Sequence, residues 1–474
     1  MHETPDEGTL REWFRRYGPP PLDDAGRFDY QRWHAHELPP WRHHARPWWA
    51  GLAAALAVVG VLVVVHRHPP QARTHPALRW PVPASALPAP SNHLAVLARS
   101  GPVAFVNAAG LFVASSTYGL VHVSTNPSAA NPLWSAGGTF LSYTTTTDAG
   151  TVVDIALAST GTLLYSTIAN GFAWRPGHHQ GVLIRPGGLQ LLQVSSTGVR
   201  PIGRELRGHI DWGVLWSSDG STLTYAVRRV SGPDNDRVYN APVGVGGFGV
   251  SGFLFASAPN TGVSLAAMLP HSGAVLYWLD PAQSASIMAD GTPLMEWRGP
   301  GQQSVRYRAM LTSPTYLTAS PAGSWAYMAG TNRVLSGGKS VVQVIRGRSI
   351  PLVTPREVEV IEPALNPVTG SIAAVLAANQ PNASTSLSAA YRQWVATRRL
   401  AIWQHGRWQI WANAGAGVTD PTWAAEGAGL FYLDANWLWF AASPHARPIA
   451  VVGPIAATGG YYGQVPPPVF ASRP

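Results

Sequence analysis

A long apolar segment lies near the N-terminus of the chain. It runs from Trp48 to Val65, eighteen residues without a charged or strongly polar side chain. A helix needs about 17–25 such residues to cross a bilayer. Trp48 and Trp49 stand at one end, where aromatic side chains favour the membrane interface, and Pro69 closes the other end. The pattern predicts one transmembrane helix over residues 47–66.

Two alternatives compete with a transmembrane helix: a buried helix of a soluble domain and a cleaved signal peptide. The segment has no polar face, which disfavours the first. A 46-residue segment precedes it, and no small-x-small cleavage site follows closely, which disfavours the second. Four arginines flank the N-terminal side and three flank the C-terminal side, so the positive-inside rule favours a cytoplasmic N-terminus. We therefore expect a single-pass protein of the cell membrane, with residues 67–474 extracytoplasmic.

Beyond the membrane segment, the apolar positions fall into short alternating runs separated by glycine-containing turns. Residues 67–93 are rich in Pro and Ala and predict a semi-rigid linker. Three ten-residue blocks then share Trp, Gly, Leu and Tyr at the same offsets, and they begin at Trp134, Trp216 and Trp423. Each block predicts a strand that ends in Trp, a turn on Gly, and a second strand.

Weaker copies of this block fill the intervals between the three clear ones. The predicted turn glycines lie at positions 138, 177, 220, 273, 323, 370 and 427. Their spacing of 39 to 57 residues is typical of propeller blades. The sequence therefore predicts an all-β fold over 94–453: a seven- or eight-bladed β-propeller with four-stranded antiparallel blades. Residues 454–474 are predicted to form a Gly/Pro-rich tail.

The segment from Trp216 to Tyr225 has the pattern Trp-Ser-x-Asp-Gly-x-x-Leu-x-Tyr. This pattern resembles the blade signature of TolB-like propellers, and the Asp420-Pro421-Thr422-Trp423 segment fits the same family. The resemblance covers residues 94–453. It implies a propeller that binds proteins or ligands; some members of the family are joined to hydrolase domains.

Composition narrows the possible functions. The chain has no cysteine, which excludes disulfides, thiolate catalysis and cysteine-ligated metals. Only 12% of its residues are charged, against about 25% in a typical globular protein. The net charge of +9 is scattered and not clustered. We therefore expect no nucleic-acid partner, since a nucleic-acid footprint requires a basic patch.

Known catalytic and ligand-binding motifs are incomplete in this sequence. There is no Gly-x-Ser-x-Gly nucleophile elbow. Residues 337–340 end like a phosphate-binding loop but lack its first glycine, and they predict a hairpin turn. Residues 146–151 approximate a structural Asp-box turn, residues 233–236 lack further cation ligands, and the histidines lack metal-site spacing. We expect no catalytic, cofactor-binding or metal-binding residue.

The N-terminal segment, residues 1–46, contains one short amphipathic helix. Thr9 and Glu12 have the spacing of a capping box, and Gly18 ends the pattern. The apolar face of this helix consists of Leu10, Trp13, Phe14 and Tyr17. Such a face is predicted to bind a cytoplasmic protein partner or to lie on the membrane surface, and the sequence leaves both open.

These features predict a membrane-anchored extracytoplasmic propeller that acts as a binding or sensing module. Its ligand is unidentified, and a protein partner is expected. Signalling through the short cytoplasmic segment would match the layout of membrane-bound anti-sigma regulators. One alternative is a propeller enzyme, a hydrolase or lyase with its site in the central channel; another is a structural envelope scaffold. Carboxylates that converge in the channel would favour the enzyme.

Overall fold

The structure is a computed structural model. It describes residues 91–210, 213–228, 235–281, 284–380, 389–434, 436–455 and 470–472. The predicted transmembrane helix over 47–66 lies outside these residues, as do Leu10, Trp13, Phe14 and Tyr17. Within the described part of the chain, no helix is both long enough and apolar enough to span a bilayer.

The strands pair antiparallel in eight groups, which we number as blades 1 to 8; seven of them contain four strands, and blade 4 contains a fifth, short strand. Blade 1 contains β1 (Val103–Asn107), β2 (Gly110–Ser115), β3 (Gly119–Ser124) and, from the C-terminus, β33 (Phe470–Ser472). Blade 2 contains β4 (Ala130–Trp134), β5 (Phe140–Thr147), β6 (Gly150–Leu157) and β7 (Leu163–Ile168). Blade 3 contains β8 (Gly171–Trp174), β9 (Gln180–Arg185), β10 (Gly188–Ser195) and β11 (Gly198–Arg207).

Blade 4 contains β12 (Val214–Trp216), β13 (Thr222–Arg228), β14 (Asp236–Gly244), the two-residue β15 (Gly247–Phe248) and β16 (Gly252–Ala256). Blade 5 contains β17 (Thr261–Met268), β18 (Val275–Pro281), β19 (Thr292–Trp297) and β20 (Val305–Met310). Blade 6 contains β21 (Leu317–Ala319), β22 (Trp325–Ala329), β23 (Ser340–Ile345) and β24 (Arg348–Pro351). Blade 7 contains β25 (Val358–Leu365), β26 (Ile372–Ala378), β27 (Arg399–Gln404) and β28 (Arg407–Ile410). Blade 8 contains β29 (Thr419–Trp423), β30 (Leu430–Asp434), β31 (Trp437–Ala441) and β32 (Ile449–Val452). A single pair, Met310 with Ala329, joins blades 5 and 6 into one sheet.

Helices are short and few among the described residues. They are α1 (Ser91–Ser100), α2 (Ala285–Asp290) and α3 (Ala389–Thr397), with 3₁₀ turns at Ala136–Gly138, Pro314–Tyr316, Ala412–Ala414 and Ala425–Gly427. Helix α3 is inserted in blade 7 between β26 and β27.

The innermost strand of each blade is β33 in blade 1 and the first strand of each later blade. Innermost strands of neighbouring blades contact one another, as β33 does with β4, β4 with β8, β12 with β17, and β25 with both β21 and β29. Four-stranded blades whose inner strands follow one another in this way are the defining feature of a propeller. The predicted all-β, propeller-type fold is therefore confirmed.

The recurring tryptophan of the repeat joins one blade to the next. In four blades its indole N–H donates to a backbone carbonyl on the innermost strand of the preceding blade. These bonds are Trp134 to Ala471 (3.0 Å), Trp174 to Leu133 (3.0 Å), Trp216 to Ala173 (3.2 Å) and Trp423 to Ala364 (3.0 Å). The indole thus provides apolar area between blades and satisfies its own polar atom at the same time.

The predicted turn glycines all adopt the left-handed conformation. At the seven positions given above, φ lies between 65° and 88°. A side chain at Gly220 would also place its Cβ 2.7 Å from the carbonyl oxygen of Pro176. The glycine therefore recurs because the turn requires positive φ and, at position 220, because backbone from the preceding blade lies against it.

Two observed elements extend across the predicted domain boundaries. Helix α1 spans Ser91–Ser100, so it begins inside the predicted linker and occupies the predicted start of the propeller at 94. It is held by Val96 and Leu97, which are buried against blades 1 and 8. Strand β33 lies within the predicted tail, where it pairs with β1 and places Ala471 opposite Ala104. The last strand of the chain thus supplies the innermost strand that blade 1 would otherwise lack.

Candidate active site

Two acidic residues lie on neighbouring innermost strands, β25 of blade 7 and β29 of blade 8. Each occupies a β-bulge, where the strand register shifts between Ile361 and Ala364 in β25 and after Thr419 in β29. Glu362 has φ 54° and Asp420 has φ 53°. Positive φ is unfavourable for residues with a side chain, and such strain commonly accompanies functional sites.

The two acidic residues are in direct contact. The backbone N–H of Asp420 donates to Oε2 of Glu362 at 2.8 Å. The hydroxyl of Thr419 donates to Oδ2 of Asp420 at 2.8 Å. Both side chains keep only a small exposed area, since each is intermediate in burial. The backbone of Asp420 therefore lies against the carboxylate of Glu362, and both acids lie in a partly buried environment.

This environment favours protonation of the pair. Burial, which penalises the charged form, raises the pKa of Glu362 to about 7, and the neighbouring Asp420 adds to the rise. Burial also raises the pKa of Asp420, against the opposing hydrogen bond from Thr419. Like charges at close range disfavour double ionisation, so near neutral pH the pair can hold one proton. One carboxyl group can then donate a proton while the other accepts one.

A buried arginine balances the charge of the pair. Arg398 is 4% exposed, and its guanidinium lies 4.3 Å from the ring centre of Trp394. Its positive charge lowers the pKa of Glu362 and of Asp420, in each case against the larger effect of burial. Its Nε has no hydrogen-bond partner among the described residues. A buried, unpaired N–H of this kind is costly to the fold and is available to a bound anion or oxygen atom.

Helix α3 places this arginine. Arg398 follows the helix directly, and its backbone N–H donates to the carbonyl of Val395 at 3.0 Å. Its own carbonyl accepts from the N–H of Gly417, which lies just before β29. The insertion in blade 7 therefore brings a cation to the two innermost strands that carry the acids.

Tyr316 completes the group on the blade 6 side. It ends the 3₁₀ turn before β21 and is buried. Burial raises its pKa, and the charges of Glu362 and Asp420 raise it further. Its hydroxyl therefore stays protonated over the whole physiological range, as a hydrogen-bond donor near the carboxyl pair.

A second buried acid lies behind this group. Glu359 is fully buried, and the indole N–H of Trp394 donates to its Oε1 at 2.9 Å. Burial raises its pKa to about 7 and lowers that of Lys339 to about 8. The ammonium of Lys339 donates to the carbonyls of Thr331 and Asn332, each at 2.6 Å. Residues 337–340 thus form no phosphate-binding loop, because their lysine points into the protein.

The other residues singled out in the sequence have structural positions. Asp219 is exposed and caps its own turn: its Oδ1 accepts from the hydroxyl of Ser217 at 2.6 Å and from the N–H of Ser221 at 3.0 Å. These hydrogen bonds lower its pKa to about 2. Asp236 accepts the N–H of Val263 at 2.8 Å. Within the described residues, no three His, Asp or Glu side chains are arranged to hold a metal ion.

Glu362, Asp420 and Arg398 were not predicted from the sequence as site residues. One signal was present: Asn131, Glu362 and Asp420 each precede a proline and lie three residues before the end of an innermost strand. That pattern marks a repeated bulge. It becomes chemically meaningful only when blades 7 and 8, which both carry acids there, are known to be adjacent.

No protein-family model and no curated protein matches the chain. Solved structures are similar in fold. The chain resembles dipeptidyl peptidase 4 of Porphyromonas gingivalis, with a TM-score of 0.47 and 8% identity over 72% of this chain and 56% of that one. It resembles the β-propeller domain of the Trilobed protease of Pyrococcus furiosus, with a TM-score of 0.39 and 7% identity over 69% and 97%. It also resembles oligogalacturonate lyase of Vibrio parahaemolyticus, with a TM-score of 0.38 and 9% identity over 70% of this chain and 88% of that one.

The chain spans about half the length of dipeptidyl peptidase 4 and of the prolyl endopeptidases that it also matches. At identities of 7–9% these likenesses concern the fold. Most of the solved structures compared here are peptidases, and the comparisons do not bear out a membrane sensing module. The sequence-based interpretation as a binding or sensing module is therefore wrong.

Proposed function

We propose that the chain is an acid–base hydrolase or lyase whose catalytic pair is Glu362 and Asp420. In this proposal the eight blades form one closed propeller, and the pair faces the channel that its innermost strands surround. The observation that carries the proposal is the contact between the two acids: they share one partly buried site, in which the backbone N–H of Asp420 lies 2.8 Å from the carboxylate of Glu362. Glycosidases use the same chemical resource, two carboxyl groups in different protonation states.

We assign the two roles from the raised pKa of Glu362 and from the hydrogen bond that Asp420 accepts from Thr419, which favours the ionised form of Asp420. With its pKa raised to about 7, Glu362 retains its proton near neutral pH and serves as the general acid. Asp420 serves as the general base. In hydrolysis, Asp420 takes a proton from water, the water oxygen attacks the scissile centre, and Glu362 gives its proton to the leaving oxygen or nitrogen. In an elimination, Asp420 takes the proton from carbon instead, and Glu362 protonates the leaving oxygen.

Arg398 and Tyr316 assist this proton transfer. The guanidinium stabilises negative charge that develops at the scissile centre, and its unpaired Nε can donate to that charge. The protonated hydroxyl of Tyr316 contributes a second dipole from the turn before β21. The predicted transmembrane helix over 47–66 would hold this site on the outer side of the membrane, where polymeric substrates are encountered.

The test is a substrate survey with matched carboxyl-to-amide variants. Soluble polysaccharides and peptides are incubated with the full chain, and new reducing ends, new amino groups and unsaturated products are measured. Glu362→Gln and Asp420→Asn are each expected to lower the rate by about 10²–10⁴-fold. Glu357→Gln is the control, because Glu357 is exposed and lies in the same blade. Activity that survives both site variants would refute the proposal.

A further inference from the structure

The two most exposed large apolar side chains among the described residues lie in one hairpin of blade 4. Val245 is 96% exposed and Val250 is 83% exposed. Phe253, in the same segment, is 57% exposed. We call residues 244–253 the apolar hairpin. Clustered exposed apolar side chains of this kind mark an interaction surface more often than isolated ones do.

The apolar hairpin is firmly anchored. Phe248 lies between the two exposed valines in sequence and is buried in the core shared by blades 3 and 4. The N–H of Gly249 donates to the carbonyl of Pro242 at 2.8 Å. On its other side the hairpin touches β11: a Cβ at Gly203 would lie 2.4 Å from the carbonyl oxygen of Gly246. The valines are therefore exposed because the backbone holds them outward.

Positive charge lies on the strand beside the hairpin. The adjacent outer strand β11 carries three exposed arginines, Arg200, Arg204 and Arg207, and one half-buried acid. Arg204 is close enough to act on Tyr225, whose pKa is raised by burial and lowered in part by this charge. The hydroxyl of Tyr225 in turn donates to Ser251 of the hairpin at 2.8 Å. The exposed apolar side chains of the apolar hairpin and the guanidinium of Arg204 therefore lie on one surface.

We propose that the apolar hairpin inserts into the interface of a lipid bilayer that contains anionic lipids. Exposed valines enter the acyl boundary, and the arginines of β11 contact anionic headgroups. A second copy of the chain fits this surface less well, because a symmetric contact would bring the same arginines against each other. The inference rests on blades 3 and 4 and does not depend on the proposed catalytic site.

The experiment uses the absence of cysteine from the chain. Val245→Cys in the full chain carries an environment-sensitive fluorophore, and vesicles of phosphatidylcholine with and without phosphatidylglycerol are added. Val353→Cys is the matched control, since Val353 is 74% exposed on blade 6. We expect a blue shift at position 245, but not at 353, with the anionic vesicles. Arg204→Gln should raise the lipid concentration needed for half of this shift about fivefold.

Three outcomes would overturn the proposal. One is a probe at 245 that does not respond to either type of vesicle. Another is an equal shift at 245 and 353, which would show only that the whole chain has been brought to the membrane. The third is a shift that grows with protein concentration in the absence of lipid, which would assign the hairpin to a contact between copies.

Discussion

Replacing Glu362 by glutamine removes one buried carboxyl group while keeping its shape. The amide oxygen of the new side chain can still accept the N–H of Asp420, which donates to Oε2 of Glu362 at 2.8 Å in the structure. The perturbation is therefore mainly electrostatic. Because the pKa of the glutamate is raised in the folded chain, its ionised form destabilises the fold, and the variant should be the more stable protein at alkaline pH.

The magnitude follows from the difference between the two pKa values. The pKa is 4.5 in the unfolded reference and about 7 in the folded chain, a difference of about 2.5 units. At about 1.36 kcal/mol per unit, this corresponds to about 3 kcal/mol. Below pH 4.5 both states are protonated and the penalty is absent. It grows as the pH rises from 4.5 to 7 and is complete above pH 7.

Urea unfolding at pH 5 and pH 8 measures this effect. At pH 5 Glu362→Gln should differ from the unchanged chain by under about 1 kcal/mol, and at pH 8 it should be more stable by about 3 kcal/mol. The control Glu357→Gln makes the same substitution at an exposed acid that directly precedes β25 and reports the effect of the exchange itself. A glutamine variant that is equally or less stable at pH 8 would refute the buried-acid argument.

Three further outcomes follow from the same contacts. Arg398→Met removes the charge that lowers the pKa of the carboxyl pair, so the alkaline limb of the pH–activity profile should move to higher pH. Trp423→Phe loses the 3.0 Å indole bond to the preceding blade and should cost about 1 kcal/mol in urea unfolding, whereas Trp408→Phe should cost less because its indole N–H has no partner among the described residues. Phe470→Ala truncates a buried side chain of β33 and should cost about 3 kcal/mol, which would show that the C-terminal strand closes blade 1.

The fold was predictable because its contacts repeat. A tryptophan that donates to the preceding blade must recur in several blades, as Trp134, Trp216 and Trp423 do. A turn that needs positive φ at one position favours glycine there in each copy, as at the seven turn glycines. The C-terminal strand was not predictable in this way. Blade 1 takes its innermost strand from residues 470–472, far from the rest of the blade in sequence, and no local pattern records that pairing.

The site was not predictable because its members come from unrelated positions. Glu362 and Asp420 are 58 residues apart in sequence and meet only because blades 7 and 8 are neighbours. Arg398 directly follows helix α3, whose residues are not part of the repeated Trp, Gly, Leu and Tyr block. In sequence, the acid before Pro421 resembled part of the blade signature. Its chemical importance comes from burial and from its neighbour, which only the folded chain provides.

The repeat itself supplies a test of whether the acids serve the fold. In blade 2 the same bulge holds Asn131, with φ 52°, and its amide donates to the hydroxyl of Thr144 at 3.1 Å. A neutral side chain is thus sufficient for the bulge.

Asp420→Asn would give blade 8 the residue that blade 2 already uses, and its amide oxygen can accept the Thr419 hydroxyl as the carboxylate does. Because burial raises the pKa of Asp420, the variant should fold and gain stability at pH 8. Its rate on any substrate found in the survey should fall by about 10²-fold or more. A variant that loses stability at pH 8 and keeps its activity would show that the carboxylate serves the fold.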